Sequence, residues 1–260
     1  MQRRKSPAAQ AKREERERRQ ILRRRAARIR ATAIGGTALA ITALAIAVYS
    51  SSLFTIETVE VVGAVRIDAD EVRTLAAVPA EATLLRFDAD TIEARVLANP
   101  WIGSVSLSRD FPSTLRIRVV ERQPAALVDG GDIFWVVDTE GMVLGQASLE
   151  TSSTYVVVRD VPGFDPEPGR TSNTDPLVNA LRVLSGISPE LRDQVKAVSA
   201  PSVDETALIL SSGVEVMLGE ATLLKEKAAL VLGIIEEKGS GVVFIDVRSV
   251  SHPISRGIGE

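Results

Sequence analysis

The sequence predicts an α+β protein with one N-terminal membrane-spanning helix, and three observations lead to this prediction. The chain opens with a strongly basic segment, and an uncharged apolar stretch follows it. The next part alternates β-branched runs with two helical segments that each begin at an aspartate. The rest of the 260 residues consists of short apolar runs separated by glycine, proline and polar residues, which is typical of a β-rich mixed domain.

The charge distribution separates the first 30 residues from the rest. Residues 1–30 contain 13 lysine and arginine residues and three glutamates, whereas the remaining chain carries 18 basic and 31 acidic side chains. Residues 31–56 carry no charge. An apolar run of about 20 residues can cross a membrane as a helix, and a basic flank stays on the cytoplasmic side. We therefore expect a basic cytoplasmic tail over 1–30 and a transmembrane helix over 31–52.

A cleaved signal peptide and a nucleic-acid-binding protein fit these features less well, and the lack of cysteine excludes a disulfide-stabilised domain. A cleaved signal peptide usually has a short basic region and an apolar region of about 7–15 residues, and both are longer here. The acidic body argues against nucleic-acid binding, which needs a basic surface. The chain has no cysteine, so a disulfide framework is excluded and the extracytoplasmic part must rely on a hydrophobic core.

Residues 53–122 read as a β-α-α-β-β unit. A β-branched run ends at Gly63, and two strands with alternating apolar residues follow Asn99-Pro100. Between them, two helices are expected to start at the repeated Asp-Ala-Asp sequences, residues 68–70 and 88–90. Calcium sites need further oxygen ligands and a turn glycine that neither copy has, so we interpret these aspartates as helix caps.

Residues 123–255 read as short strands with two helices. The expected strands are a hairpin around residues 134–144 and further strands at 155–158, 195–199, 207–210, 214–218 and 242–247. The expected helices lie at residues 176–184 and from a cap at Thr222 to Lys238. Residues 256–260 read as a polar tail.

The sequence contains no recognisable catalytic motif. His252 is the only histidine, and Ser211, Ser249 or Ser251 could be imagined as its partners. No nucleophile-elbow sequence supports such a site. Metal-ligand spacing and phosphate-binding loops are also absent from the sequence, so we expect neither a metal nor a cofactor nor a small-molecule substrate.

Several motifs resemble those of the FtsQ/DivIB family of bacterial cell-division proteins, whose first extracytoplasmic domain is a polypeptide-transport-associated (POTRA) domain. The motifs that carry the resemblance are Val59-x-Val61-x-Gly63, Asn99-Pro100-Trp101-Ile102, the run from Arg109 to Ala126 with Phe111-Pro112 and Glu121-Arg122, Asp138-x-x-Gly141-x-Val143, and Ile245-Asp246-Val247-Arg248. The resemblance covers about residues 30–255 and implies a POTRA domain over 53–122 followed by a β-rich partner-binding domain over 123–255. We interpret Trp101 as a core or interdomain packing residue.

The resemblance also implies a function. It implies a non-enzymatic divisome scaffold in the cell membrane, with a cytoplasmic N-terminus, that is concentrated at the division septum. Its partners would be other division proteins of the FtsB and FtsL type and the septal peptidoglycan synthesis machinery. In the family a partner segment pairs with an exposed strand near the C-terminus, which maps here to residues 249–255. The implied partner-binding residues are Arg248, Ser249, Val250, Ser251, His252 and Ile254.

Two further functions stay open from the sequence. A membrane-anchored POTRA protein could chaperone exported polypeptides, although such proteins usually carry several POTRA repeats. An anchored hydrolase would need a site built around His252, because this is the one side chain that ordinarily titrates near neutral pH.

Pro253 interrupts the expected partner-binding strand, since proline lacks a backbone donor.

Overall fold

A computed structural model of the protein describes residues 34–49, 51–147 and 155–257. Residues 34–49 form helix α1, and all of their side chains are exposed. Within the described ranges, no helix has both the length and the apolar composition that a membrane crossing requires. The predicted transmembrane segment 31–52 also includes residues 31–33 and 50, which lie outside the described residues, as does the predicted basic tail.

Five further helices and twelve strands follow in the described part of the chain. The helices are α2 (Ala69–Ala76), α3 (Ala89–Leu97), α4 (Asp175–Gly186), α5 (Pro189–Arg192) and α6 (Leu224–Lys238). The strands are β1 (Thr58–Val62), β2 (Ile102–Asp110), β3 (Thr114–Glu121), β4 (Pro124–Asp129), β5 (Phe134–Asp138), β6 (Val143–Ala147), β7 (Val157–Arg159), β8 (Val195–Ser199), β9 (Ala207–Leu210), β10 (Glu215–Met217), β11 (Val242–Asp246) and β12 (Ile254–Gly257).

The chain divides into two compact units. The first comprises Met1–Thr58, Pro79–Phe87 and Arg109–Thr114, and the second comprises Val59–Val78, Asp88–Ser108 and Leu115–Glu260. Backbone hydrogen bonds hold the segments of the first unit together. The Ile56 N–H donates to the Ala82 carbonyl at 2.9 Å, and the Glu57 N–H donates to the Ser113 carbonyl at 2.9 Å.

The two predicted aspartate caps are confirmed. The Asp68 carboxylate accepts the Asp70 N–H at 2.9 Å and begins α2. The Asp88 carboxylate accepts the Thr91 N–H at 3.1 Å and the Thr91 hydroxyl at 2.6 Å, and it begins α3. These bonds satisfy backbone donors that have no partner inside the helix. They also lower the pKa of Asp88 from its ordinary value.

The strands β1, β3 and β2 form a three-stranded sheet in that order. Alternate residues of β3 are buried (Leu115, Ile117 and Val119), as the sequence alternation predicts. The helices of this region bury Val72, Ala76, Ile92 and Val96. The order of elements, β-α-α-β-β, is therefore the predicted one.

The other nine strands form one mixed sheet in the order β12-β11-β10-β9-β8-β7-β4-β5-β6. Three of its pairs are parallel, namely β4 with β7, β7 with β8 and β10 with β11. Apolar residues of α4 and α6, such as Leu177 and Val231, share one core with sheet residues such as Leu208 and Ile245. The sequence did not predict β4 or the short helix α5.

Trp101 packs as predicted. A smaller cluster of Leu127, Val136 and Leu144 lies on strands β4 to β6, and the Trp101 ring packs against it. The Arg66 guanidinium lies 4.8 Å above the same ring, a distance at which a cation is attracted to the ring face. Trp101 therefore connects the POTRA-like segment to the nine-stranded sheet.

Glu121 joins the end of β3 to the loop before α2. Its carboxylate accepts the backbone N–H groups of Val65, Arg66 and Ile67 at 2.8 to 3.0 Å. Partial burial raises the pKa of Glu121, but the three backbone donors and the nearby Arg66 guanidinium outweigh it. The pKa of this carboxyl therefore lies below its ordinary value of 4.5.

Because the folded protein lowers this pKa, Glu121 stabilises the fold above the ordinary value, and this contribution disappears as the pH falls through the lowered value. We expect Glu121→Gln to lower the urea midpoint clearly at neutral pH and much less at about pH 3. Glu215→Gln, on an exposed side chain of β10, is the matched control. An equal loss of stability at both pH values would show that the ionised carboxylate is not the source.

The predicted cap of the last helix is wrong. Helix α6 begins at Leu224, and its cap residue is Leu223 in a left-handed conformation (φ 50°) with no side-chain cap bond. The Thr222 N–H instead donates to the Glu220 carbonyl at 2.7 Å. The turn that leads out of the sheet thus places Thr222 before the cap position.

Candidate partner-binding site

Strand β12 lies at one end of the nine-stranded sheet. It pairs antiparallel with β11, so that Asp246 faces Ile254, Ile245 faces Ser255 and Phe244 faces Arg256. Within the described residues, no strand pairs with the other side of β12. Such an edge offers backbone donors and acceptors to an incoming strand.

The structure divides the six predicted binding residues between a turn and this strand. Arg248, Ser249, Val250, Ser251 and His252 lie in the connection between β11 and β12, and Ile254 begins β12. The expected strand over 249–255 is therefore wrong for residues 249–253. The His252 N–H donates to the Ser249 carbonyl at 3.3 Å and closes the turn.

The strand starts after Pro253 rather than ending there. Proline has no N–H to give to a ladder, and it is tolerated next to the first residue of a strand. β12 continues to Gly257 and so includes two residues that the sequence assigned to a polar tail. Ile254 is 52% exposed, which leaves its side chain available to a partner.

An Asp-Arg pair closes the exit from β11. The Asp246 carboxylate accepts hydrogen bonds from the Arg248 backbone N–H at 3.0 Å, from its Nε at 3.1 Å and from its Nη2 at 2.7 Å. The Arg248 side chain is the main reason that the pKa of Asp246 lies below its ordinary value. Arg248 therefore has a clear structural role, since it orients the chain that leads to β12.

A buried lysine supports the same region from α6. Lys227 is 2% exposed, and its Nζ donates to the carbonyls of Leu218 at 2.7 Å and Glu220 at 2.9 Å. Burial lowers the pKa of Lys227, and the charges of Glu220 and Asp246 oppose that shift. The ammonium group thus holds the loop between β10 and α6.

A buried asparagine on α4 also holds this loop. Asn179 Nδ2 donates to the Thr206 hydroxyl at 2.8 Å and to the Gly219 carbonyl at 3.0 Å, and it lies 3.3 Å from the Val203 carbonyl. Its Oδ1 accepts the Ala221 N–H at 2.8 Å. The amide therefore connects α4 to two other parts of the chain, residues 203–206 and 219–221.

Sequence reasoning missed both Asn179 and Lys227. Each is a polar residue on the apolar face of its helix, between Leu177 and Ala180 in α4 and beside Ala228 in α6. A polar residue at a core position is the available signal, because such groups are retained in cores only when they are hydrogen-bonded.

The side chains of β12 differ between its two faces. Lys238, at the end of α6, donates from Nζ to the Ser255 hydroxyl at 2.7 Å. The Arg256 guanidinium lies 5.3 Å from the centre of the Phe244 ring. One face of the strand is thus held by α6, and the other presents Ile254 and the Arg256–Phe244 pair.

The turn also brings a serine to the single histidine. Ser251 Oγ lies 2.9 Å from His252 Nδ1, and Ser249 Oγ lies 3.1 Å from Ser251 Oγ. All three residues are exposed. Within the described residues, no carboxylate bonds to the His252 ring, whereas a catalytic base needs a third group to orient it. We interpret these contacts as turn hydrogen bonds.

The same part of the chain contains no group of metal-binding side chains. In the ranges 34–49, 51–147 and 155–257, no three histidine, aspartate or glutamate side chains converge as metal ligands would.

Two protein-family models match the chain. Residues 54–122 match the FtsQ-type POTRA domain, and residues 126–248 match the C-terminal domain of the cell-division protein FtsQ/DivIB. The second match ends at Arg248, so β12 lies beyond it. The partner-binding interpretation of β12 therefore depends on its geometry.

Curated relatives that are named cell division protein FtsQ also match. The protein of Mycolicibacterium smegmatis is 29% identical over 74% of this chain and 55% of its own length. The Corynebacterium glutamicum protein is 24% identical over 72% of this chain and 81% of its own length. The Streptomyces bingchenggensis protein is 31% identical over 67% of this chain and 66% of its own length. The match thus spans only about half the length of the mycobacterial relative.

Proposed function

Because the chain belongs to the FtsQ/DivIB family of bacterial cell-division proteins, we propose that it is a non-enzymatic scaffold of the division machinery. Its edge strand β12 captures an extended segment of a partner outside the membrane. The observation that carries this proposal is the open edge of β12 at one end of the nine-stranded sheet. The partner is a division protein of the FtsB or FtsL type, which the scaffold connects to septal peptidoglycan synthesis.

The capture works through the backbone. An added strand satisfies donors and acceptors on the outer side of β12, and side chains beside the edge select the partner. Ile254 offers an exposed apolar contact, and Arg256 offers a cation above the Phe244 ring. These groups fit a partner strand that carries both apolar and acidic residues.

The edge is held rigid before the partner arrives. The Asp246–Arg248 pair constrains the chain that leads to β12, and the Lys238–Ser255 bond holds the strand itself. The buried Lys227 ammonium group holds the neighbouring loop between β10 and α6. A strand that is already ordered loses less conformational entropy on binding than a flexible segment does. This supports a role for the network in affinity as well as in folding.

The scaffold is a single-pass membrane protein. Residues 31–52 cross the cell membrane with residues 1–30 in the cytoplasm and the body outside. The uncharged stretch over 31–56 and the 13 basic residues before it support this orientation. The POTRA-like segment helps to place the protein at the septum.

Imaging of an N-terminal fluorescent fusion in dividing cells tests this function. We expect a mid-cell band for the full chain, and we expect the band to survive truncation after Arg248, which removes the turn and β12. Co-purification of the partner from the same cells should be lost on truncation, because the edge strand is gone.

Two results would contradict the proposal in different ways. Uniform envelope fluorescence of a functional full-length fusion would exclude a septal scaffold and favour a chaperone of exported polypeptides. Retained co-purification after truncation would place the partner site elsewhere on the body. A truncation after Gly257, which keeps β12, is the matched control.

A further inference from the structure

The first unit carries a cluster of aromatic and arginine side chains directly after helix α1. We call it the aromatic–arginine rim, and it consists of Tyr49, Leu53, Phe54, Arg86, Phe87, Arg109 and Phe111. Three separate chain segments of that unit contribute to it. None of these residues has a place in the partner-binding site.

Direct contacts hold the rim together. The rings of Phe54 and Phe111 meet edge to face with their centres 5.4 Å apart. The Arg109 guanidinium lies 4.9 Å from the centre of the Phe87 ring, and its Nε donates to the Leu84 carbonyl at 2.6 Å. The rim is therefore an ordered surface, because aromatic pairs and cation–π contacts fix its side chains.

A backbone hydrogen bond and a longer cation–π contact also connect the segments that form the rim. The Leu84 N–H donates to the Phe54 carbonyl at 2.8 Å, which ties two of the segments. The Arg86 guanidinium lies 6.0 Å from the Tyr49 ring at the end of α1. The rim thus begins within the helix end itself.

Much of the rim is exposed although it is apolar. Leu53 is 71% exposed, Tyr49 is 55% exposed and Phe111 is 53% exposed. Exposed apolar side chains that are ordered and rimmed by polar groups mark interaction sites. The composition identifies the kind of partner, since aromatic rings and arginine stems with charged tips are typical of the boundary between lipid tails and headgroups.

We propose that the rim seats the first unit on the outer phospholipid surface of the membrane. The exposed side chains of Tyr49, Leu53 and Phe111 enter the headgroup boundary, and Arg86 and Arg109 donate to lipid phosphates. This inference rests on the proposed membrane anchor, because α1 places the rim within a few residues of the point where the chain leaves the membrane.

The chain path favours lipid over a protein partner. Helix α1 exposes apolar side chains along its length, among them Ile34, Leu39 and Leu44, and the rim continues that apolar surface into the folded unit. In the part of the unit that follows α1, the acidic Glu57, Glu81 and Asp110 outnumber the two arginines of the rim, so charge alone does not attract this part to anionic lipid. Insertion of the exposed apolar side chains is therefore the main attraction, and the guanidinium groups add local phosphate contacts.

A fluorescent label tests the contact between the rim and the lipid surface in the full chain. The protein has no cysteine, so Phe111→Cys or Leu53→Cys gives one site for an environment-sensitive label. The labelled chains are reconstituted in vesicles of phosphatidylcholine and phosphatidylglycerol. We expect a shallow spin-labelled lipid to quench the label at either position at least about twofold more than at Ser212→Cys, an exposed turn position in the second unit.

The arginines provide a second test. The double variant Arg86→Gln with Arg109→Gln should lower the lipid quenching of a label at Leu53→Cys. Arg118→Gln, on an exposed arginine of β3, should leave it unchanged. The protein could float with the vesicles while an aqueous quencher fully reaches the labels at both rim positions. That result would overturn the proposed contact between the rim and lipid and leave the anchor intact. Loss of flotation by the wild-type chain would instead overturn the membrane anchor on which the proposed lipid contact depends.

Discussion

Proline at one of two adjacent positions of β12, Ser255→Pro or Arg256→Pro, is expected to abolish most partner capture. Neighbouring residues of a strand direct their N–H groups to opposite sides. One of these variants therefore removes an N–H group that points away from β11 and that the partner needs, and its ring obstructs the added strand. The other removes a bond to β11. We expect the variant that loses the outward N–H group to weaken partner binding about 10- to 100-fold, which corresponds to about 1.5–3 kcal/mol.

The two prolines can be told apart by stability. The variant that loses the outward donor should keep the unfolding midpoint of the wild type, whereas the other should unfold earlier. Titration of the purified partner segment measures binding, and urea unfolding measures stability. Ser255→Ala and Arg256→Ala keep the backbone donors and are the matched controls. Wild-type affinity in both proline variants would rule out strand addition at β12.

Asn179→Asp is expected to have the largest effect on stability among the single substitutions considered. The change keeps the shape of the side chain but replaces its amide donor with a carboxylate. Thr206 and Gly219 would lose their donor, and a buried negative charge would face the Gly219 carbonyl. We expect the free energy of unfolding to fall by about 2–4 kcal/mol at neutral pH.

Chemical unfolding at two pH values checks this expectation. Because burial among carbonyl oxygens disfavours the charged form, the variant should recover part of its stability at acid pH, where the carboxyl is protonated. Asn173→Asp, on an exposed side chain just before α4, is the matched control and should change stability by less than about 0.5 kcal/mol. A wild-type midpoint for Asn179→Asp would show that the amide network does not stabilise the fold.

The hydrogen bonds of Asn179, Lys227, Asp246 and Arg248 form a network that we also expect to affect partner binding. Asn179 and Lys227 hold the loop between β10 and α6, whereas Asp246 and Arg248 hold the exit from β11. A modest loss in this network would loosen β12 before it unfolds the sheet. Partner affinity should therefore fall in such variants even where most of the protein remains folded.

Local patterns in the sequence predicted most of the elements. The caps at Asp68 and Asp88 were predictable because each bond joins residues two or three positions apart. The alternation in β3 was predictable because one face of a strand is buried and the other is not. The family motifs extended these local patterns to the order of the domains.

The predictions that failed depend on how the strands and turns of the nine-stranded sheet are arranged. Strand β12 is short, and its place after Pro253 follows from its pairing with β11. The cap at Thr222 was wrong because the turn out of the sheet gives Leu223 the left-handed conformation. The buried roles of Asn179 and Lys227 depend on carbonyl groups of loops that fold back onto their helices.

Composition and patterns along the chain were enough to establish the charge asymmetry, the helices capped by Asp68 and Asp88, the alternating strands and the family resemblance of this protein. Each of these depends on composition, on contacts within a few residues, or on motifs read along the chain. The unpaired edge of β12, the carbonyl partners of Asn179 and Lys227, and the exposure of Tyr49 and Phe111 came from the folded chain alone. These features arise when distant segments bury their surfaces together, and the remaining unpaired backbone and uncovered rings are what a partner or a membrane can bind.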